Sequence, residues 1–401
     1  MACQGPPSSY KRQLRQQAHT TAMHDSDNHR HIALEKARMF LSNRVLEYAK
    51  KRNFDHGPSA HQNVSGLSKY ITHRVLSEYE LVLQALSLHK FWEVEKFIQE
   101  VFWRIYWKGW LEMRPSVWTE FLQMPIDHKE DDLNAALGGR TGIECFDSWV
   151  AELKTTNYLH NHARMWFASI WIFTLRLPWQ LGARFFLKHL ADGDSASNTL
   201  SWRWVAGLQT KGKQYQATSQ NIEFYTSGRF KGSLPNESAS PKIEFKDYPI
   251  TGQVPPANEI QEHDNLLVFE NDLYFRGREK LYESYKNIFV TSLPNNKRHI
   301  SLSNNVLKFK AELAEQFCKN FNNAKILSSD LESTLSTHSS LDVVYPFIGE
   351  NLSFLESVKS RTSIKYSFLV RHEDSVCMQH CRKGFFQFKK YIPNILEDLL
   401  S

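Results

Sequence analysis

The alternation of apolar and polar residues divides the chain into two parts of different texture. From Ala33 to about Phe230, apolar residues recur at the spacing of amphipathic helices. Clusters of Gly, Pro and Ser interrupt this pattern at residues 57–59, 138–142 and 192–198, as is typical of turns. The pattern predicts a mainly α-helical domain over residues 33–230.

A different pattern begins after residue 264, where short apolar runs alternate with helical stretches. The runs are residues 265–269, 287–293, 324–327, 342–348 and 364–370, and the helical stretches include 305–321 and 350–360. This alternation predicts an α/β domain with a largely parallel sheet. Residues 231–264 are rich in Pro, Ser and charge, which is typical of a linker. The predicted order is a leader (1–32), the helical domain (33–230), the linker (231–264) and a smaller, Rossmann-like α/β domain (265–401).

Composition narrows the class of protein. A length of 401 residues favours two domains. The chain has 11 tryptophans, which makes it rich in aromatic residues for a globular protein. The longest apolar run, Met165–Leu175, is shorter than the roughly 20 residues that cross a bilayer. We therefore predict no membrane span. The net charge of +6 permits a polyanionic partner without requiring one.

The N-terminus and the cysteines bear on the compartment. The first 25 residues lack the apolar segment of a secretory signal, so they are interpreted as a flexible leader, with a transit peptide as the alternative. Five scattered cysteines suit reduced thiols. The expected location is the cytoplasm, or an organelle or the nucleus if the cell is eukaryotic.

Two predicted helices bring polar groups beside large apolar side chains. Glu100, Trp103 and Trp107 share one helical face, and Arg104 lies one turn after Glu100. On a helix beginning near His160, a second face carries Asn161, Arg164 and Met165. Aromatic stripes at this spacing are usually core packing, so the faces alone do not decide between packing and a site.

Six segments, in order, resemble the FAD-binding domain of the DNA photolyase/cryptochrome family. They are "VSGLSKYITHRVLS" (64–77), "EVFWRIYW" (100–107), "GRTGIECFDSWVAEL" (139–153), "YLHNHARM" (158–165), "LPWQLGARFF" (177–186) and "DGDSASNTLSWRW" (192–204). The resemblance covers roughly residues 40–230 and implies the family's helical fold and a bound FAD.

The resemblance also implies which residues hold the cofactor. Ser65 and Ser68 match hydroxyls that receive the diphosphate, and Asn198 matches the residue that faces flavin N5. Arg164 and Asp192 match an ion pair over the flavin ring, and Asp194 matches a carboxylate at its edge. The full implied set is Tyr48, Ser65, Ser68, Arg104, Asn161, Arg164, Asp192, Asp194 and Asn198.

A second implied set receives a cyclobutane pyrimidine dimer flipped out of DNA, and it comprises Glu100, Trp103, Asn161, Met165 and Trp204. Family members that repair the (6-4) photoproduct carry histidines at the positions of Asn161 and Met165, so dimer repair is favoured. The family's arginine-bearing phosphate-contact segment is replaced after Trp204. Lys211, Lys213 and Arg229 are the candidates for these contacts, although such lysines are as often only solvated surface.

Trp202 and Trp179 match the inner and middle members of the family's electron-transfer chain. The outer member is missing, because residues 124–134 contain no tryptophan. Trp118, Trp171 or a tyrosine are the alternatives for it. The predicted catalytic set is therefore Glu100, Asn198, Trp202 and Trp179.

The leading hypothesis is a deoxyribodipyrimidine photolyase-like lyase in which excited reduced FAD repairs pyrimidine dimers in single- or double-stranded DNA. The alternative is a cryptochrome-like blue-light photoreceptor that binds FAD without repair. The α/β domain resembles the family's antenna domain in type, and would hold a second chromophore if the likeness extends to binding. Its end, residues 381–396, is expected to dock on a neighbour. We expect a monomer and no metal, since the thiols and imidazoles of residues 372–381 lack a second cysteine pair.

Overall fold

The structure, a computed structural model, describes residues 28–58, 60–232, 234, 243–327 and 331–400. Most of the predicted leader and residues 235–242 of the predicted linker lie outside these ranges. The leader was expected to extend to residue 32, but the first described helix already begins at His29. Asn28 caps this helix, because its side chain accepts a hydrogen bond from the Arg30 amide at 2.9 Å.

As far as residue 232, the described chain consists of helices joined by loops. They are α1 (His29–Asn43), a 3₁₀ helix (Arg44–Glu47), α2 (Tyr48–Lys51), α3 (Ser68–Thr72), α4 (Glu78–Leu88), α5 (Phe91–Glu112), α6 (Ser116–Gln123), α7 (Glu130–Gly138), α8 (Glu144–Thr156), α9 (Asn161–Ser169), a π-helix (Ile170–Thr174), α10 (Trp179–His189), α11 (Ser195–Val205) and α12 (Ser219–Tyr225). None of the helices in the described residues has an apolar stretch long enough to cross a bilayer.

A five-stranded parallel sheet follows, with the strand order β3-β2-β1-β4-β5. The elements are β1 (Asn265–Phe269), α13 (Glu279–Glu283), β2 (Asn287–Thr291), a 3₁₀ helix (Asn295–Lys297), α14 (Asn304–Cys318), β3 (Ala324–Leu327), α15 (Leu331–Ser336), β4 (Ser340–Val344), α16 (Glu350–Arg361), β5 (Lys365–Leu369), α17 (His372–Met378), α18 (Phe385–Phe388), a 3₁₀ helix (Lys389–Tyr391) and α19 (Ile392–Leu400). Each of the five apolar runs predicted from the sequence overlaps one strand, and β4 begins two residues before its run.

The sheet is apolar on both faces. In β1, Leu266 and Val268 belong to the core on one side of the sheet, and Leu267 and Phe269 belong to the core on the other. Leu267 lies opposite Phe289 of β2 in the parallel register. Continuous apolar strands are what a parallel sheet covered on both faces requires.

Helix α5 is the main support of the helical part. It begins with a capping box in which the Glu93 carboxylate accepts from the Lys90 amide at 2.8 Å. Ile98, Phe102 and Ile105 point inward and are fully buried. Their helical spacing leaves Glu100, Trp103 and Arg104 on a different, partly exposed face.

The C-terminal helices α17 to α19 pack in the core of the helical part, on α5 and its neighbours. Their contributing residues are Cys377, Met378, Cys381, Phe385, Phe388, Ile392, Ile395 and Leu396. Gly109 of α5 permits the close approach, because a Cβ there would lie 2.8 Å from the Cys381 Sγ atom. The predicted division assigns these residues to the α/β domain, whereas their side chains complete the helical core.

A buried ion cluster joins three distant segments at this junction. Arg74 is 1% exposed and has a φ of +49°, a conformation that non-glycine residues rarely adopt. Its guanidinium donates to both carboxylate oxygens of Asp374 at 2.6 Å, to Asp272 at 2.9 Å and to Glu78 at 3.1 Å. Burial alone would raise the pKa of Asp374, but Arg74 outweighs it and lowers that pKa.

We predict that Arg74→Met lowers the free energy of unfolding by about 3–5 kcal/mol, because it leaves the buried Asp374 carboxylate without its counter-charge. Urea denaturation followed by circular dichroism measures this loss. Arg38→Met is the control, since its pair with Glu35 lies on the surface, and it should change stability little. An Arg74→Met protein as stable as the Arg38→Met protein would contradict the prediction.

Candidate functional site

An ion pair links α9 to the turn before α11. Arg164 donates from Nη2 to the Asp192 Oδ2 atom at 2.8 Å and from Nε to the Leu159 carbonyl at 2.9 Å. Burial alone would raise the pKa of Asp192, but Arg164, with a smaller contribution from the Ser68 hydroxyl, lowers it. Asp192 therefore stays ionised while its side chain is almost fully buried.

A second pair lies beside the first. Arg104 of α5 donates to the Asp194 Oδ2 atom at 3.1 Å. Asp194 also caps α11, because its Oδ1 atom accepts from the Ser197 amide at 2.8 Å. Burial opposes the negative charge, but Arg104 and then Lys108 outweigh it and lower the pKa of Asp194.

Thr72 connects the two pairs, and sequence reasoning missed it. Its hydroxyl donates to the Asp192 carbonyl at 3.1 Å and accepts from the Arg104 guanidinium. A threonine at the end of the short helix α3 gives no local signal of this role. Lys108 was also missed, although its position one turn after Arg104 on α5 was a usable signal.

Three polar atoms at the two pairs are buried and make no hydrogen bond within the described structure: Asp192 Oδ1, Arg104 Nε and Ser197 Oγ. A buried polar atom without a partner costs about 1–3 kcal/mol. A bound polar molecule would remove that cost, so the residues at this site fit a ligand with its own donors and acceptors. FAD, predicted from the sequence, is such a ligand.

The two predicted diphosphate serines flank the start of α3. Ser68 is its first residue, and its hydroxyl lies beside the Asp192 carboxylate. Ser65 precedes it, with its Oγ atom accepting from the Leu67 amide at 3.4 Å. Ser68 therefore joins the ion pairs, while Ser65 stabilises the turn into the helix.

Asn198 and Tyr48 lie on different sides of the helical core. Asn198 is 8% exposed, and its side-chain amide donates to the Ala183 carbonyl at 2.9 Å. The Tyr48 ring packs edge-on against Phe97, with centroids 5.4 Å apart. Burial, and then the nearby Glu100 carboxylate, raises the pKa of the Tyr48 hydroxyl. Tyr48 thus lies closer to the predicted lesion residue Glu100 than the sequence suggested.

Glu100 carries two cationic partners at a half-buried position. Its Oε1 atom lies 2.8 Å from Arg52 Nη1 and 2.9 Å from Lys96 Nζ. Arg52 was not among the predicted site residues, although it lies one helical turn beyond Tyr48. The two pairs fix the position of the Glu100 carboxylate at the surface of α5.

One face of the Trp103 ring, which the resemblance implies stacks on the lesion, is covered by another ring. Phe385 of α18 stacks on it, with ring centroids 3.7 Å apart and an interplanar angle of 10°. Trp103 remains partly exposed, so one side of the ring is covered and part of it is still accessible. No local sequence pattern indicates this contact, because Phe385 is 282 residues away along the chain.

The other predicted lesion residues lie on α9 and near the end of α11. Asn161 is exposed and Met165 is half-buried. Trp204 stacks on Tyr215, with centroids 5.6 Å apart and an interplanar angle of 27°. Lys211 and Lys213 are both exposed, in the loop that precedes Tyr215.

Arg229, predicted from the sequence to contact phosphate, forms an ion pair with a buried aspartate. Its Nη2 atom lies 2.5 Å from the Oδ2 atom of Asp55, which is fully buried. Asp55 also accepts from the Trp149 indole at 3.2 Å and from the Gly57 amide at 3.1 Å. Compensating a buried carboxylate is a structural role, and the phosphate contact of Arg229 stays a prediction.

The predicted electron-transfer tryptophans lie in two rows of rings. Trp202 is buried, and its ring centroid lies 6.2 Å from that of Trp171. Trp179 stacks on Phe121 at 5.5 Å, and Phe121 in turn lies 5.5 Å from Trp118. Both tryptophans named as alternatives for the outer position are therefore in ring contact with one of these rows.

Comparison with known proteins identifies the helical part. Residues 97–232 match the family described as the FAD binding domain of DNA photolyase. A deoxyribodipyrimidine photo-lyase of Escherichia coli is 29% identical over 216 residues, covering 49% of this chain and 44% of that protein. One of Streptomyces griseus is 34% identical over 158 residues, covering 39% and 34%.

Among solved structures, a bacterial class III photolyase from Agrobacterium tumefaciens aligns with 25% identity and a TM-score of 0.43, covering 49% of this chain and 42% of that one. The chain thus spans less than half the length of these relatives. The matched segment contains the Arg104, Arg164, Asp192 and Asp194 pairs. Over residues 97–232, the helical part of the chain is thus similar to the FAD-binding domain of DNA photolyases.

Proposed function

We propose that the helical domain binds FAD at the paired charges of Arg164 with Asp192 and Arg104 with Asp194. The observation that carries this proposal is the set of unpartnered buried atoms at these pairs, within the segment that matches the family. Both carboxylates are kept ionised by arginines, so they can accept hydrogen bonds from a ligand. Ser68, beside Asp192, adds a hydroxyl to the same site.

We further propose that the protein repairs cyclobutane pyrimidine dimers in DNA, driven by light. FAD, when bound and reduced, supplies the electron that opens the dimer. The chain's own residues hold and orient the lesion: Trp204 and the accessible part of Trp103 offer stacking surfaces, and Asn161 offers an exposed amide. Glu100 offers a carboxylate that is fixed by Arg52 and Lys96.

A light-sensing role without repair is the second candidate, and the contact between Phe385 and Trp103 favours it. A stacked phenylalanine reduces the ring surface that a flipped base can use. Arg229 is also paired with Asp55, and this pair competes with a contact to a DNA phosphate. Illumination of the purified chain with an oligonucleotide carrying one thymine dimer, against a dark control, separates the two functions, because only repair restores the bases.

Trp118 is the better candidate for the outer electron-transfer position. It is linked to Trp179 through Phe121 and borders an open groove beside α6. Trp171 contacts Trp202 but is fully buried. Trp118 is only 3% exposed, but it lines the groove, so an electron on Trp118 lies next to that opening, whereas one on Trp171 would need a further step.

The same groove is where we place the predicted second chromophore. It has a volume of about 540 Å³ and lies between α6, the loop after β2 and helix α16. The carboxyl ends of parallel strands are the usual ligand sites of such sheets. Trp118 supplies an aromatic wall, and Lys297 and Arg361 supply cations shared with Glu332.

Asp192→Ala should purify largely without FAD, because it leaves Arg164 as an uncompensated charge in the site. The measurement is flavin absorbance per mole of protein, followed by titration of the flavin-free protein with FAD. Asp132→Ala, an exposed aspartate on α7, should keep the flavin. Stoichiometric flavin of normal affinity in the Asp192→Ala protein would rule out this cofactor site.

Trp179→Phe and Trp202→Phe should slow the photoreduction of oxidised FAD while leaving repair by pre-reduced protein nearly unchanged. The reason is that these rings pass electrons to the cofactor and do not contact the lesion. Trp118→Phe should show the same split, and Trp171→Phe should have a smaller effect. Full-rate photoreduction in the Trp179→Phe, Trp202→Phe double variant would show that another route dominates.

Trp103→Ala should weaken binding of dimer-containing DNA by about 1–3 kcal/mol, the scale of one base–aromatic stack. Glu100→Gln should mainly lower the number of dimers split per photon. The reason is that the side chain at this position interacts with the lesion most strongly after the lesion has gained an electron, and an amide cannot replace the carboxyl group in that interaction. FAD content should be unchanged in both. Trp92→Ala is the control, since Trp92 is an exposed tryptophan on the same helix. If both site variants bind and repair like the control, the repair proposal fails.

A further inference from the structure

Three aromatic side chains form an exposed ledge outside the proposed lesion pocket. They are Phe54, His56 and Phe224, and we call them the ring ledge. Phe54 lies 5.7 Å from Phe224 between ring centroids, and 5.8 Å from His56 with the two planes within 5° of parallel. Phe224 is 63% exposed, although apolar side chains of this size usually pack inward.

The ledge rests on a rigid support. Tyr225, the neighbour of Phe224 on α12, accepts from the Asp55 amide at 2.8 Å through its carbonyl. The buried Asp55 carboxylate is in turn held by Arg229 and Trp149. The rings are therefore fixed before any partner arrives, which lowers the entropy lost on binding.

Aromatic contacts connect the ledge with Trp204 of the proposed lesion pocket. Phe54 packs on Tyr225 at 5.2 Å, and Tyr225 packs on His162 at 4.9 Å. The His162 Nε2 atom lies 3.3 Å from the Tyr215 hydroxyl, and Tyr215 stacks on Trp204. The ledge and the pocket are thus parts of one continuous strip of rings.

The surroundings of the ledge are basic. Segments 48–63 and 205–232 contain seven Lys and Arg residues but only Asp55 and Glu223 as acids. Asp55 is neutralised by Arg229, and two further bases pair with glutamates on α5 and at the start of α2. The remaining bases are all exposed and make no ion pair within the described residues: Lys50, Lys211, Lys213 and Lys231. This charge suits a polyanion.

We infer that the ring ledge binds unpaired DNA bases next to the lesion, so that the protein prefers single-stranded over duplex substrate. Exposed rings flanked by lysines bind single strands because every unpaired base has a face that can stack, while the cations meet the phosphates. In a duplex these faces are covered by neighbouring base pairs. The inference rests on the proposed function, since it places the ledge beside the lesion pocket.

The test compares the affinity of the full chain for labelled oligonucleotides by fluorescence anisotropy. Single-stranded and duplex probes of about 12 nucleotides are each made with and without one thymine dimer. Phe224→Ser should weaken single-strand binding by roughly 5- to 100-fold, the scale of one or two stacked bases, and leave duplex binding within about twofold. His56→Ala should act in the same direction.

The matched control is Phe386→Ser, because Phe386 is 74% exposed and carries the Lys389 ammonium 5.5 Å from its ring centroid. It should bind every probe like the original chain. Circular dichroism melting and FAD content verify that the variants fold. Equal weakening of single-strand and duplex binding, or no change in Phe224→Ser, would overturn the inference.

The two proposals fail in different ways. If the original chain repairs dimers and Phe224→Ser keeps full single-strand affinity, only the role of the ledge is overturned. If Phe224→Ser loses single-strand affinity but the original chain repairs nothing, the ledge is supported and the repair proposal falls. An original chain with no affinity for any probe would overturn the ledge as a DNA site and point to a protein partner.

Discussion

Arg74 carries its charge where only 1% of the residue is exposed, and the structure on both sides depends on how that charge is compensated. Its carboxylate partners come from α4, from the end of β1 and from α17. Taking any one of them away would leave a buried charge uncompensated, which is far more costly than losing a surface pair. The cluster therefore fixes the helical part, the sheet and the C-terminal helices in one relative position.

That fixed position shapes the candidate site. Thr72, which links the two arginine–aspartate pairs, lies two residues before Arg74, so the cluster also anchors the backbone at the cofactor site. On the other side, the Arg74–Asp374 pair anchors α17, and the chain continues from there to Phe385 and its stack on Trp103 of α5. The same ion cluster thus helps to position both the predicted cofactor residues and the predicted lesion residues.

Features that depend on local spacing could be predicted from the sequence. The shared face of Glu100, Trp103 and Arg104 follows from helical periodicity, and the strands follow from short apolar runs. The pairing of Asp192 with Arg164 came only from the resemblance, and the pairing of Asp194 with Arg104 was not predicted, because spacing cannot bring α5 and α9 to one turn. Phe385 and the Asp55–Arg229 pair gave no signal, since each joins segments that are far apart in sequence and is decided by tertiary packing.

The contact between the helical part and the sheet also determines how much space is left for a ligand at the carboxyl ends of the strands. After β4, a Cβ on Gly349 would lie 2.3 Å from the Ser195 Oγ atom, so the sheet domain touches the start of α11 directly. The space left where the sheet meets the start of α11, beside Glu270, is about 70 Å³, which suits a few water molecules. The groove beside Trp118, at about 540 Å³, is the one of these two spaces with room for a ring system. A chromophore in the α/β domain would therefore lie against Trp118, on the surface side of the row of rings that contains Trp179.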